Sequence, residues 1–202
     1  MERQILQSLQ SWPWQPSQSG RWKQDFGPKA NFKKQQVKIP ETWEGFPSCS
    51  HQLLELLRGK TETLRDFEAV ECLSLWYDSD RGASHALHVD DLWLWGQRIV
   101  GVSLQSPSIF TFFDPVNSVC VRVPLPQRSA YLINGRVRVD WQHGILAEDI
   151  WGPRVAMTFR ELTEPMAQTE LGRQALERAK LPGARGFQRS RVCGGCFGLF
   201  LL

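Results

Sequence analysis

The residues best placed to do chemistry are three histidines and a carboxylate. In His88-Val89-Asp90 an imidazole and an acid lie two residues apart. In an extended strand such positions project to the same side, as two neighbouring ligands of one ion. His143 closes a strand-like segment, after Trp141-Gln142 and before Gly144, and a barrel that returns to the same mouth would bring it in as a third ligand. Two imidazoles and one carboxylate on one face of an octahedral ion leave three positions open, a pattern suited to non-haem iron(II). His85 is an alternative to His88, but its distance from Asp90 breaks the one-face geometry. His51 falls at a helix start and reads as a surface residue. An H-x-D tripeptide is common, and the plain alternative is a polar strand end with an exposed His143.

The segment after His143 raises the case for chemistry. Arg154, Thr158 and Arg160 fall at even spacing in Arg-Val-Ala-Met-Thr-Phe-Arg, so all three share one face of a strand. Two inward guanidiniums in an apolar strand are costly unless each meets an anion. Planar forks grip carboxylates in pairs, and 2-oxoglutarate is a dicarboxylate that chelates iron through its keto-acid end.

These residues need a β-rich frame. Strand-like runs cover 67–77, 92–106, 108–113, 119–125, 129–144 and 154–162, with Pro, Asn, Asp or Gly between most of them. Short strands at close spacing with no strong helix between them indicate a mainly β fold with flanking helices (α+β), a β-sandwich or jelly roll. Residues 2–11 carry Ile5, Leu6 and Leu9 on one helical face; Ser48 or Ser50 is placed to cap a short helix that Gly59 closes; a last helix covers 167–180. The expected organisation is an N-terminal helix and lid region over 1–66, a core over 67–166, the helix over 167–180 and a disordered tail over 181–202. Cys193-x-x-Cys196 in that tail has metal-ligand spacing but no second pair nearby.

Composition narrows the setting. At 202 residues with 42% hydrophobic content, the chain suits one domain with a sizeable core. Nine Trp and eleven Phe favour a β-rich core or a stacking surface. No apolar run is long enough to span a bilayer, and the start lacks the order of a signal peptide. Five scattered cysteines suit a reducing cytoplasmic or nuclear setting. Residues 1–40 hold seven Lys/Arg against two acids, a basic arm suited to nucleic acid or an acidic protein surface, or to solvent alone. Trp12, Trp14, Trp22 and Phe26 among Lys23, Lys29, Lys33 and Lys34 suit base stacking, a methyl-ammonium pocket, or packing onto the sheet.

The order His-Val-Asp, IVGVSLQSPSIF, VPLPQRSAYLINGRVRVDWQHGI and RVAMTFR resembles the AlkB-type iron(II)/2-oxoglutarate dioxygenases over residues 4–179. SGRWKQDFGPK and HVDDLWLWGQR are similar to the subgroup of the fourth animal homologue. The resemblance implies a double-stranded β-helix (jelly-roll) core and iron(II) at His88, Asp90 and His143, with 2-oxoglutarate and O2 as co-substrates. It implies that Arg154 meets the distal carboxylate, Arg160 the keto-acid end, and that Tyr77 and Thr158 line the co-substrate site. It assigns Arg21, Trp22, Asp25 and Phe26 to a substrate lid. It further implies oxidative demethylation of methyl-lysine in a protein such as actin, or of N6-methyladenine in DNA, by a monomer that releases formaldehyde and succinate. Ala156 stands where bacterial relatives have Asn, which removes one co-substrate hydrogen bond. The ends depart from the subgroup, so the chain is expected to be a shortened form, with a binding module that does not turn over as the competing reading.

Overall fold

The alternating segments resolve into two mainly antiparallel sheets whose inner faces meet across one cavity. The computed structural model describes residues 1–183 and 198–201. In chain order the first half contains α1 (Glu2–Gln10), β1 (Gln15–Pro16), β2 (Trp22–Phe26), β3 (Lys29–Asn31), β4 (Gln36–Lys38) and α2 (Ser48–Arg58). There follow β5 (Glu71–Tyr77), β6 (His85–His88), β7 (Trp95–Gln105), β8 (Ser108–Asp114), β9 (Val119–Leu125) and β10 (Ser129–Ile133). The last elements are α3 (Gly135–Val139), β11 (Gln142–Ile145), β12 (Arg154–Leu162), α4 (Glu164–Ala167), α5 (Glu170–Lys180) and β13 (Gly198–Leu201).

The larger sheet runs β1-β2-β5-β12-β7-β10-β13 and the smaller β6-β11-β8-β9, with β3 and β4 forming a separate hairpin. This is the mainly β, two-sheet jelly-roll arrangement expected from the strand spacing. The central strand β12 makes the sidedness plain. Val155, Met157 and Phe159 pack with Val100, Val102 and Leu104 on the face that α1, α2 and α5 cover. Arg154, Ala156, Thr158 and Arg160 face the second sheet. Helix α1 buries Ile5 and Leu9, and α2 buries Leu53, Leu54 and Leu57. Each such side chain contributes ~1.5–3 kcal/mol of hydrophobic stabilisation.

Several local expectations are corrected. Neither Ser48 nor Ser50 caps α2: both lie in its first turn after Pro47, and the Ser50 hydroxyl sits 3.5 Å from Cys72 Sγ in the core. Residues 129–144 are not one strand. Asn134 is extended, Gly135 takes φ +58°, and α3 intervenes before β11. The alternation in Arg136-Val137-Arg138-Val139 imitates a strand, but burial of Arg138 against backbone carbonyls favours the helical turn. Residues 198–201, expected in a disordered tail, pair in parallel with β10 as an edge strand, because β10 offers an unpaired backbone edge. Cys193 and Cys196 lie outside the described residues.

Candidate active site

His88 and His143 are cross-strand partners on β6 and β11, with ring centroids 4.6 Å apart. Asp90 lies beyond the end of β6, not within the strand as the i, i+2 reading required. Its loop is shaped by Asp91, whose Oδ1 accepts the backbone N–H groups of Trp93 and Leu94 at 2.9 and 3.0 Å. Asp90 nevertheless converges with the two histidines: one ligand atom from each of the three residues lies within 4.8 Å of the others. Asp90 Oδ2 is 3.3 Å from His143 Nε2.

The donor set fits a divalent ion. His88 Nδ1 lies 2.9 Å from the Ala86 carbonyl, which assigns the proton to Nδ1 and leaves the Nε2 lone pair free. Burial depresses the pKa of His88, with His143 adding to it, so the ring is neutral at neutral pH. Burial alone would raise the pKa of Asp90; Arg160 outweighs it and holds the carboxyl well below the usual range. The Asp90 carboxylate is divided: Oδ1 accepts from Arg160 Nε at 3.0 Å and Nη2 at 2.7 Å, while Oδ2 is buried without a hydrogen-bond partner. The neutral His88 imidazole and the His143 ring beside an ionised, unsaturated carboxylate oxygen make a cation site.

Two buried guanidiniums brace this loop. Arg160, pairing with both Asp90 and Glu71, has its anions within the protein, so the dicarboxylate expected from the sequence is not needed to satisfy it. Arg138 is 0% exposed and spends its fork on carbonyls, reaching those of Asp90, Asp91, Trp95 and Gly96 at 2.9–3.1 Å. Neither Glu71 nor Arg138 was singled out by spacing. The acid at the start of an apolar strand, opposite Arg160 in the register, was the available signal for Glu71.

Arg154 is different. It is 1% exposed, its Nε donates to the Ser103 hydroxyl at 3.1 Å, and its Nη1 has no partner. Its cross-strand neighbour Tyr77 places a ring 4.9 Å from the guanidinium carbon. Tyr131, a residue sequence reasoning missed, lies over Gly101: a Cβ there would meet the ring at 1.9 Å. Burial raises the Tyr131 hydroxyl to about 12, and Thr158 is its side-chain hydrogen-bonding neighbour. Arg154, Tyr77, Tyr131, Thr158 and the three proposed ligands all line the cavity between the sheets. An unsatisfied buried guanidinium in that cavity fits a carboxylate.

The stretch expected as a lid is partly built into the large sheet, because β2 pairs with β5. Its register places Arg21 and Asp25 on the cavity side, and Trp22 and Phe26 on the helix-covered side. Arg21 approaches Tyr77 with its guanidinium carbon 6.0 Å from the ring. Asp25 pairs with Lys23 and Lys29. Phe26 meets Trp12 edge-on at 5.0 Å, and Trp22 and Trp14 pack on Trp76. Phe26 is therefore a core residue, Trp12 and Trp14 pack half-buried against the same cluster, and Trp22 is half-buried on Trp76. His85, beside the metal site, stacks on His88 at 4.3 Å.

The profile of the 2OG-Fe(II) oxygenase superfamily matches residues 6–160, and the chain belongs to that family. Among curated proteins, it is 35% identical over 168 residues to the Caenorhabditis elegans DNA N6-methyl adenine demethylase, covering 83% of this chain and 57% of that one. It is 34% identical over 209 residues to human alpha-ketoglutarate-dependent dioxygenase alkB homolog 4, covering 87% of this chain and 68% of the human protein. A solved structure described as that of OsALKBH1 covers 79% of this chain and 88% of its own, with a TM-score of 0.48 and 17% identity. Family membership makes the protein a dioxygenase that uses iron(II), 2-oxoglutarate and O2. Among the described residues no helix is long and apolar enough to cross a membrane.

Proposed function

We propose that this chain is an oxidative N-demethylase that acts on N6-methyladenine in DNA. The observation that carries the chemistry is the placement, in one cavity, of an unsaturated Asp90 oxygen and an unsatisfied Arg154 guanidinium. His88, Asp90 and His143 would hold the iron, and Arg154, with Tyr77 and Tyr131 around it, would receive the far carboxylate of 2-oxoglutarate. When bound, iron(II) with 2-oxoglutarate and O2 would supply the oxidising power for hydroxylation of an N-methyl carbon, with succinate and carbon dioxide as co-products. The C–N bond of the hydroxymethyl group would then break, releasing formaldehyde as the hydroxyl proton is lost and a proton is taken up by the nitrogen.

The protein's own part is to bind, orient and exclude water. Apolar residues such as Ile99, Phe110 and Ile133 wall the cavity, which strengthens the Arg154–carboxylate attraction. The choice of DNA draws on the name of the worm relative. Methyl-lysine in an actin-like protein is the competing substrate.

The test is an anaerobically iron-loaded sample, assayed for succinate and formaldehyde with N6-methyladenine DNA and monomethyl-lysine peptides side by side, with His88→Ala as control. DNA-dependent formaldehyde lost in the control is the expected result. Turnover with the peptide alone would move the substrate to protein. No turnover with either, from folded and iron-loaded protein, would favour a binding module.

A further inference from the structure

Glu71 is a buried carboxylate at the start of β5 that touches none of the three proposed metal ligands. An acid in such a place costs stability unless its charge is used. Its partner is Arg160, directly opposite in the β5–β12 register, with Oε2 2.5 Å from Nη1. The rest of the same guanidinium, Nε and Nη2, grips Asp90 Oδ1. One planar fork is thus shared between two carboxylates, and only one oxygen of Asp90 is taken. A guanidinium released from Glu71 would be free to lie along Asp90 and engage both oxygens, the bidentate geometry that arginine and carboxylate favour. That would occupy Oδ2, the oxygen with no hydrogen-bond partner.

We propose that Glu71 is a positioning residue for the metal centre: by holding one arm of Arg160 it keeps that guanidinium off Asp90 Oδ2 and leaves the oxygen for the ion. The inference rests on the metal site of the proposed function. Asp25 adds negative charge near Glu71 but is itself paired with Lys23 and Lys29, so Arg160 is the cation that answers Glu71.

The test is anaerobic titration of the full chain and of Glu71→Gln with Fe(II), and with Co(II) as a spectroscopic stand-in. Affinity is read by calorimetry, the coordination by the visible Co(II) bands, and folding by thermal unfolding of the metal-free forms. Glu71→Gln is expected to bind either ion about tenfold more weakly, the usual scale for a partner of a metal ligand, with altered Co(II) bands. Glu71→Asp, which keeps the charge, is expected to recover part of the loss. In an Arg160→Lys background Glu71→Gln is expected to change affinity little, because the fork it restrains is gone.

Wild-type affinity and unchanged bands in folded Glu71→Gln would overturn the proposal, as would an equal loss in the Arg160→Lys background. Should Glu71→Gln fail to fold, the near-isosteric and uncharged Glu71→Met decides: wild-type affinity and unchanged Co(II) bands in a folded protein would overturn it. A wild-type chain that binds neither ion would overturn the metal-site reading itself and this inference with it, whereas normal wild-type binding with an indifferent Glu71 overturns the inference alone.

Discussion

Arg154 Nε and the Ser103 hydroxyl lie 3.1 Å apart, and among the described residues this neutral oxygen is the one side-chain hydrogen-bond acceptor the buried guanidinium reaches. Its Nη1 is buried without a partner, which fits an incoming carboxylate. Arg154→Met is expected to leave metal affinity unchanged and to weaken 2-oxoglutarate binding by about 10- to 150-fold, equivalent to ~1.5–3 kcal/mol for a hydrogen bond to a charged group. The ligand-free variant is expected to melt above wild type, because an uncompensated buried charge has been replaced by an apolar side chain. Calorimetric titration and thermal melts check both, and a lower melting point would contradict the second expectation.

Gly101 faces the ring of Tyr131 so closely that a methyl group has no room, with ring atoms 1.9–2.4 Å from an added Cβ. The residue lies between Thr158 on β12 and Tyr131 on β10. Gly101→Ala must push Tyr131 into the co-substrate cavity or spread the strands. A destabilisation of ~1–3 kcal/mol is expected, the range for an overpacked interior, together with weaker 2-oxoglutarate binding. Urea unfolding measures the first and titration the second; unchanged values for both would show that Tyr131 moves aside without cost.

Arg138 couples the turn before His143 to the loop carrying Asp90 through four carbonyl contacts. Arg138→Met removes every donor at once and strands buried acceptors. A loss of at least ~3 kcal/mol is expected, since each unsatisfied buried group costs ~1–3 kcal/mol. Lysine has no planar fork, so Arg138→Lys should recover little. Denaturant midpoints of both variants check this, with Arg138→Lys at wild-type stability as the contrary result.

The histidines predict an acid limit for the metal-free protein. Burial, aided by Arg21, pushes His85 down to about 2, and burial also lowers His88. The unfolded chain takes up protons on these residues near pH 6.5, whereas the folded chain does not. Stability is therefore fully present above pH 6.5 and falls as the pH drops below it, by at most ~1.4 kcal/mol per pH unit for each histidine. Melting temperatures from pH 7.5 to 5 in the presence of chelator should decline. His85→Phe, which keeps an aromatic ring against His88, should flatten that decline; an unchanged slope would exclude His85 as its source.

The periodicity of the chain was enough for the two-sheet class and for most strands: β12 and β9 coincide with the alternating runs at 154–162 and 119–125. It also placed Arg154, Thr158 and Arg160 on one face, because a period of two survives folding in any long central strand. His88, Asp90 and His143 were legible as residue types that ligate metal, and the matching strand text named their family. The Arg-Val-Arg-Val run misled, since its alternation is local and the burial that overrode it is not.

What only the tertiary structure decided is which charges are spent and which are left over. Arg154 and Arg160 are equivalent in the sequence, two arginines on one strand face. In the fold, β5 brings Glu71 opposite Arg160 and a loop brings Asp90, while Arg154 meets a serine and a tyrosine ring. Partners so distant along the chain leave no local pattern. The sequence by itself determined the ligand types, the strand face and the family; pairing between strands determined that one guanidinium is held by Glu71 and Asp90 while the other keeps a buried nitrogen without a partner.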